Sequence, residues 1–460
     1  MKKHLAICLL AVLFITSAFS QKNILTESPK ALAARLQDMP LSLTPTTVVA
    51  TLTETLDAAF DSITALTPIK GFNAAMLLPD GTYWKRAGGL AEELPAAVPL
   101  TTEHLMAMGS ISKTFVSATL LLLMEEGLFS LDDSIGQYIG PYPNVAGSIT
   151  VRQLLSHRSG LNDYLNENTA STDAWSNDPS HIWTFDEILN GYVLAPNFAP
   201  DASWSYSNTN FVLAGVLIEE LTGQPWHEVV REKVIAPLGL SHTFVYPFET
   251  PGEQPLAHVF ADLLGTGGVQ DVQGLGFPDE GFFSLATSAG CLITTPEDLT
   301  KFMERVFGGH LLQPATLAEM QTDYMQNSDN GLYGLGTASF PILPNFDNWG
   351  HDGDLIYKSV ALYFPSENMS LAVQQNDGRN HDPSDPATPS HDVYDVFAAL
   401  LLAYLNYSPI SAIGEVELET GFSVYPNPAA EALHLVLDKK WDPSFPLEVV
   451  LTDMGGKMVA

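Results

Sequence analysis

The chain has 460 residues, 46% of them hydrophobic, enough for a large core and, by length alone, for about three average domains. Acidic residues number 53 against 20 basic ones, and the formal net charge of −33 disfavours nucleic acid or an anionic membrane surface as a partner. Spread along the whole chain, this acidity reads as a solubilising surface in preference to a cation-binding device.

Met1-Lys2-Lys3, an apolar run from Leu5 to Ile15 and Ala18-Phe19-Ser20 follow the order of a secretory signal peptide spanning Met1 to Ser20. The run is shorter than the roughly 20 residues needed to cross a bilayer, so export without stable membrane insertion is expected. Cleavage after Ser20 removes Cys8, which sits too early in the run for a lipoprotein anchor. Cys291 is then the one cysteine left, with no internal disulfide and no multi-cysteine metal site.

Apolar residues at three- and four-residue steps from Val48 to Leu66 predict an amphipathic helix. Asn73 to Leu78, the turn Pro79-Asp80-Gly81 and Thr82 to Arg86 read as a hairpin. A second pair, Ser359 to Phe364 and Met369 to Gln375, is followed by a helix from Val393 to Leu405, and the chain between the two hairpins is mainly helical. The expected fold is α/β of the α+β type, residues 21–407: an antiparallel sheet built from both ends, flanked by helices, with a mainly helical lobe inserted and a cleft where they meet. Residues 408–420 read as a linker. Alternation over Leu433 to Leu437 and Leu447 to Thr452 reads as a small β-unit at 421–460.

Gly109-Ser110-Ile111-Ser112-Lys113 opens an apolar segment that ends at Gly127, a helix C-cap. Serine and lysine three apart share a helix face, and a buried lysine with a lowered pKa can accept the proton that makes the hydroxyl a nucleophile. Alone, this spacing is common. Trp204-Ser205-Tyr206-Ser207-Asn208 adds a phenol to relay a proton and an amide that donates and accepts. Gly350-His351-Asp352-Gly353, just before the strand at Ser359, places a hydrogen-bonding side chain at a sheet edge, with Gly353 letting substrate approach the backbone.

Together these motifs, over roughly Ile69 to Leu405, resemble the family of class C β-lactamases, D-stereospecific peptidases, penicillin-binding carboxypeptidases and related esterases, marked by Ser-x-x-Lys, Tyr-x-Asn and Lys-or-His-x-Gly. Ile149 to Leu161, Tyr206 to Gly223, Ala236 to Leu240 and Ser288 to Leu299 match as well. The resemblance implies Ser110 as the acylated nucleophile, with Lys113 and Tyr206 managing its proton and the base left open between them. It implies Asn208, His351 and Gly353 at the substrate, an oxyanion hole from the N–H groups of Ser110 and Asp354, and no cofactor or metal. The expected activity is hydrolysis of an ester or amide in a small molecule or peptide. A β-lactamase or D-Ala-D-Ala carboxypeptidase is the alternative, and a non-catalytic binding module is the rival from another class. Retention of Ser110, Lys113, Tyr206 and Asn208 argues against that rival.

Tyr425-Pro426-Asn427-Pro428 and Asp453 to Lys457 resemble the C-terminal type A sorting domain of the type IX secretion system, in a copy shorter than usual. The resemblance implies a secreted or cell-surface protein that meets the secretion machinery through its tail. His157 invites a Ser-His-Asp triad, but its stretch is a structural loop in the resembling family and no Gly-x-Ser-x-Gly elbow is present. Asp377, His381, Asp382, Asp385, His391 and Asp392 are a cation-site candidate or, in the favoured reading, a solvated loop. Asp352 and Asp354, next to the third motif, are expected to repel an anionic substrate terminus and favour a neutral or amine-bearing one.

Overall fold

The structure, a computed structural model, describes residues 51–262, 268–325, 331–340, 342, 346–379 and 389–407, with two short strands further on. The signal-like segment, His381, Asp382, Asp385, the 447–452 alternation and the Asp453 to Lys457 motif lie outside the described residues. Thr51 starts helix α1 (Leu52–Thr64): its hydroxyl accepts the Glu54 N–H while the Glu54 carboxylate accepts the Thr51 N–H, a reciprocal cap. The expected first hairpin forms as β1 (Gly71–Leu77) and β2 (Tyr83–Glu92), continued by β3 (Val98–Pro99). Strand β4 (Met106–Ala107) then leads through a 3₁₀ turn, Gly109–Ile111, into α2 (Ser112–Glu125). Gly127, at φ 82°, ends that helix in the left-handed conformation read from the sequence.

Short helices at Val151–Leu155, Thr169–Asn177 and Phe185–Gly191 precede the long α3 (Asn208–Thr222). Strands β5 (Thr243–Val245), β6 (Phe260–Ala261), β7 (Gln270–Asp271) and β8 (Leu292–Thr294) follow, then α4 (Pro296–Phe307). The chain finishes the unit with β9 (Leu332–Tyr333), β10 (Ala338–Ser339), β11 (Trp349–Leu355), β12 (Tyr357–Phe364), β13 (Met369–Gln375) and α5 (Val393–Asn406).

Eight strands make one antiparallel sheet in the order β3-β2-β1-β13-β12-β11-β10-β9. β1 therefore pairs with β13, Phe72 opposite Gln375, and the two ends of the domain close on each other as expected. Both faces are buried by period-two alternation along β12: Val360, Leu362 and Phe364 pack towards α1 and α5, Ala361 and Tyr363 towards the helical lobe. On the lobe side Phe115 of α2 stacks on Phe302 of α4 with ring centres 3.5 Å apart. Among the described residues no helix is long and apolar enough to cross a membrane.

One expectation fails in detail. Gly350 to Gly353, expected ahead of a strand at a sheet edge, lie inside β11, and β10 and β9 extend the sheet beyond them. The glycines mark close backbone approach: a Cβ on Gly350 would fall 2.1 Å from the Ala361 carbonyl oxygen of β12. The chain divides into two units between Tyr407 and Ser408. Of the second, the structure describes Phe422–Tyr425 paired antiparallel with His434–Leu437, Tyr425 opposite His434.

Candidate active site

Ser110 sits on a sharp turn that only glycine neighbours permit. Gly109 has φ 53°, and a Cβ on it would lie 2.6 Å from the Asp354 nitrogen. Gly353 answers from β11, where a Cβ would fall 1.9 Å from the Met108 carbonyl oxygen. Turn and strand thus meet backbone to backbone, which sets the Asp354 N–H beside the Gly109-Ser110 peptide. Ser359 Oγ donates to the Met108 carbonyl (2.8 Å) and ties the same turn to β12.

Ser110 is partly exposed, whereas Lys113, in the first turn of α2, is fully buried. Its Nζ lies 3.0 Å from Ser110 Oγ, 2.7 Å from Asn208 Oδ1 and 2.6 Å from the Ala289 carbonyl oxygen. An amide oxygen and a carbonyl only accept, so they take two of the amine's hydrogens. In the neutral amine the remaining lone pair then faces the serine hydroxyl. Burial brings this lysine down to about 7, against the opposing pull of Asp163 and Asp352. The arrangement leaves much of the lysine as free base near neutrality, in contact with the proton it would remove.

Asn208 begins α3 and is held by a group that no motif announced. Its Nδ2 donates to Asp163 Oδ2 (3.0 Å), which leaves Oδ1 turned to Lys113. Asp163 also accepts the Leu165 and Asn166 N–H groups, and burial raises its pKa in spite of them. Tyr206 Oη donates to Ser110 Oγ at 2.8 Å. Burial, with Tyr333 close by, holds that phenol well above the usual tyrosine range, so it remains a donor.

His351 is fully buried, and neither ring nitrogen is free: Nε2 is 3.2 Å from Tyr333 Oη and Nδ1 is 2.5 Å from the Asp352 carbonyl oxygen. His157 is also buried, with Nδ1 taken by the Ser207 N–H and Asn210, and Nε2 at 3.0 Å from Tyr333 Oη. With those partners it is not the base of a Ser110 triad. Tyr333 was not singled out in the sequence, and neither was Ala289, although the matching stretch Ser288 to Leu299 contains it.

Asp352 and Asp354, expected beside the substrate, are partnered away from it, although Asp352 Oδ1 stays 3.5 Å from His351 Nδ1. Strand alternation turns both side chains to the face opposite His351. There Asp352 accepts the Tyr394 hydroxyl of α5 (2.7 Å), and Asp354 is ion-paired with Lys358. In the acidic loop Asp377 binds Arg379 and the Lys70 N–H, and Asp392 caps α5. Among the described residues no cluster of metal-ligating side chains is present.

Residues 56–393 match the Beta-lactamase family. The chain is 31% identical over 180 residues to a penicillin-binding protein of Bacillus subtilis, 38% of either chain. It is 32% identical over 212 residues to esterase EstB of Burkholderia gladioli, covering 43% of this chain and 54% of that one. Both matches thus span well under two thirds of the relative. Among solved structures, a D-stereospecific amidohydrolase from a Streptomyces species is 30% identical with a TM-score of 0.60, over 70% of this chain and 94% of that one. With the family match running from within α1 to the first residue of α5, across the whole sheet and helical lobe, this chain belongs to the β-lactamase family of serine hydrolases.

Proposed function

We propose that the protein hydrolyses an ester, or an amide of D configuration, through an acyl group carried on Ser110. The observation that carries this reading is the 3.0 Å contact of Lys113 Nζ with Ser110 Oγ, the amine's other two contacts being to obligate acceptors. Lys113 Nζ takes the serine proton as Oγ bonds to the substrate carbonyl carbon. The developing oxyanion is met by the Ser110 and Asp354 N–H groups, and Tyr206 Oη gives its proton to the departing alcohol or amine. The proton held by Lys113 then returns to the phenolate, both groups lying against Ser110 Oγ, at 3.0 Å and 2.8 Å. Water then enters along the reverse path, the acyl–oxygen bond breaks and the acid leaves. Two of the proteins this chain resembles, an esterase and a D-stereospecific amidohydrolase, support this choice of substrate, while the penicillin-binding protein fits the alternative.

The test compares kcat/KM for a p-nitrophenyl ester, a D-amino-acid anilide, a D-Ala-D-Ala peptide and a cephalosporin. The ester or the D-anilide should lead by at least about tenfold, the discrimination one well-placed contact supplies. A cephalosporin or D-Ala-D-Ala peptide in first place would give the alternative activity instead. Turnover of none, with no mass added to Ser110 by a fluorophosphonate, would favour a binding module.

The second part of the proposal is place: a protein exported by its Met1 to Ser20 segment and carried to the surface or medium through its tail. The order of charge, apolar run and small residues supports the first step, and Tyr425-Pro426-Asn427-Pro428 the second. Fractionation of cells expressing the full chain should put the protein, lacking Met1 to Ser20, at the surface or in the medium. A cytoplasmic pool with Met1 intact would refute both steps, and a periplasmic one the tail alone.

A further inference from the structure

The Ser207 N–H can only donate, so His157 Nδ1, 3.2 Å away, is an acceptor and its proton sits on Nε2. That Nε2–H points at Tyr333 Oη (3.0 Å). The phenol, accepting on one side, donates on the other to His351 Nε2 (3.2 Å). The His351 proton is then on Nδ1, where the Asp352 carbonyl oxygen receives it at 2.5 Å. The chain of bonds has one direction throughout. It begins at the backbone of the Tyr206-Ser207-Asn208 segment and ends at the β11 backbone two residues before the Asp354 N–H.

We propose that Tyr333 is a positioning residue, whose hydroxyl imposes opposite tautomers on His157 and His351 and thereby fixes the Tyr206 segment and the β11 oxyanion donor relative to each other. This rests on the function proposed above. Three further observations point the same way. Tyr333 comes from β9, the edge strand of the sheet, yet reaches His157 in the helical lobe, so its hydroxyl bridges the two walls that carry the motifs. All members of the path are buried, where an unmet donor or acceptor is costly and the direction of each bond is strongly held. His157 is kept at φ 58°, a conformation rarely adopted by a residue with a side chain, as expected where the surroundings demand one ring placement.

The relay would act on turnover more than on binding, because it orders groups that meet the transition state. Tyr333→Phe removes only the oxygen and keeps the ring edge against Tyr206, with ring centres 6.3 Å apart. Its kcat for the ester should fall roughly 10- to 100-fold with KM within about threefold, once the active-site concentration is normalised by titration. The direct readout is ¹⁵N NMR of histidine-labelled wild-type protein without substrate: His157 as the Nε2–H tautomer, His351 as the Nδ1–H tautomer. The same tautomer on both rings overturns the inference, whether or not the variant folds. So does a folded Tyr333→Phe protein with wild-type kcat, or one whose loss lies in KM alone. Should Ser110 prove not to be acylated, the functional reading fails while the tautomers still decide the relay.

Discussion

Ser110→Ala is expected to lower kcat for the ester by at least about 10⁴-fold while leaving the protein folded. The side chain removed is small, partly exposed and at the end of a turn held by backbone contacts and Ser359, so little packing is lost. On the proposed mechanism what is lost is the bond-forming atom, to which Lys113 and Tyr206 make their 3.0 Å and 2.8 Å contacts. Residual turnover would come from the oxyanion donors and substrate positioning. Intact-protein mass spectrometry completes the test: the wild type gains one acyl or phosphonyl group, located on Ser110 by peptide mapping, and the variant gains none. A labelled variant, or one retaining a tenth of the wild-type rate, would show that another residue is the nucleophile.

Replacing Lys113 is expected to cost about 10³-fold, the range of a positioned acid or base, and to change the shape of the pH profile. With burial holding the amine at about 7, the competent neutral form grows as pH rises. Log kcat/KM of the wild type should therefore climb with unit slope at low pH, bend near 7 and stay level, since Tyr206 is held protonated well above its usual range. In Lys113→Ala the bend near 7 should disappear together with the rate. A profile that keeps the bend would move the base elsewhere, and one that falls as pH rises through 7 would mean that the ammonium form is the active one.

The sheet and the two hairpins were legible because β1, β12 and β13 are short, largely apolar runs bounded by turn residues such as Pro79-Asp80-Gly81, all written in neighbouring residues. The same locality made Ser110 with Lys113, and Tyr206 with Asn208, readable as motifs. Strands β9 and β10 have two residues each, too few for a period, and their place is set by pairing with β11. Asp163, Ala289 and Tyr333 could not be found from spacing, because Asp163 meets Asn208 across 45 residues, Ala289 meets Lys113 across 176, and Tyr333 meets His157 across 176. The charge argument from Asp352 and Asp354 failed for a related reason. Strand alternation already allowed the two carboxylates to point away, but their partners, Tyr394 on α5 and Lys358 on β12, are what decide it and are not written beside the motif.

The closure of β1 on β13 also bears on when this protein can become active during its synthesis. The Lys70 N–H finds Asp377 across 307 residues, and β1 has no second neighbour until β13 exists. A ribosome-bound chain that has emerged only through α3 carries Ser110, Lys113, Tyr206 and Asn208, but neither Gly353 behind the turn nor the Asp354 N–H. Contacts so distant in sequence slow the search for the native state, since each closes a long loop before it stabilises anything. A growing chain is therefore expected to lack the assembled turn until nearly the whole first unit has been made, and the open edge of β1, paired with β2 on its other side, is the segment most exposed to mispairing in the meantime.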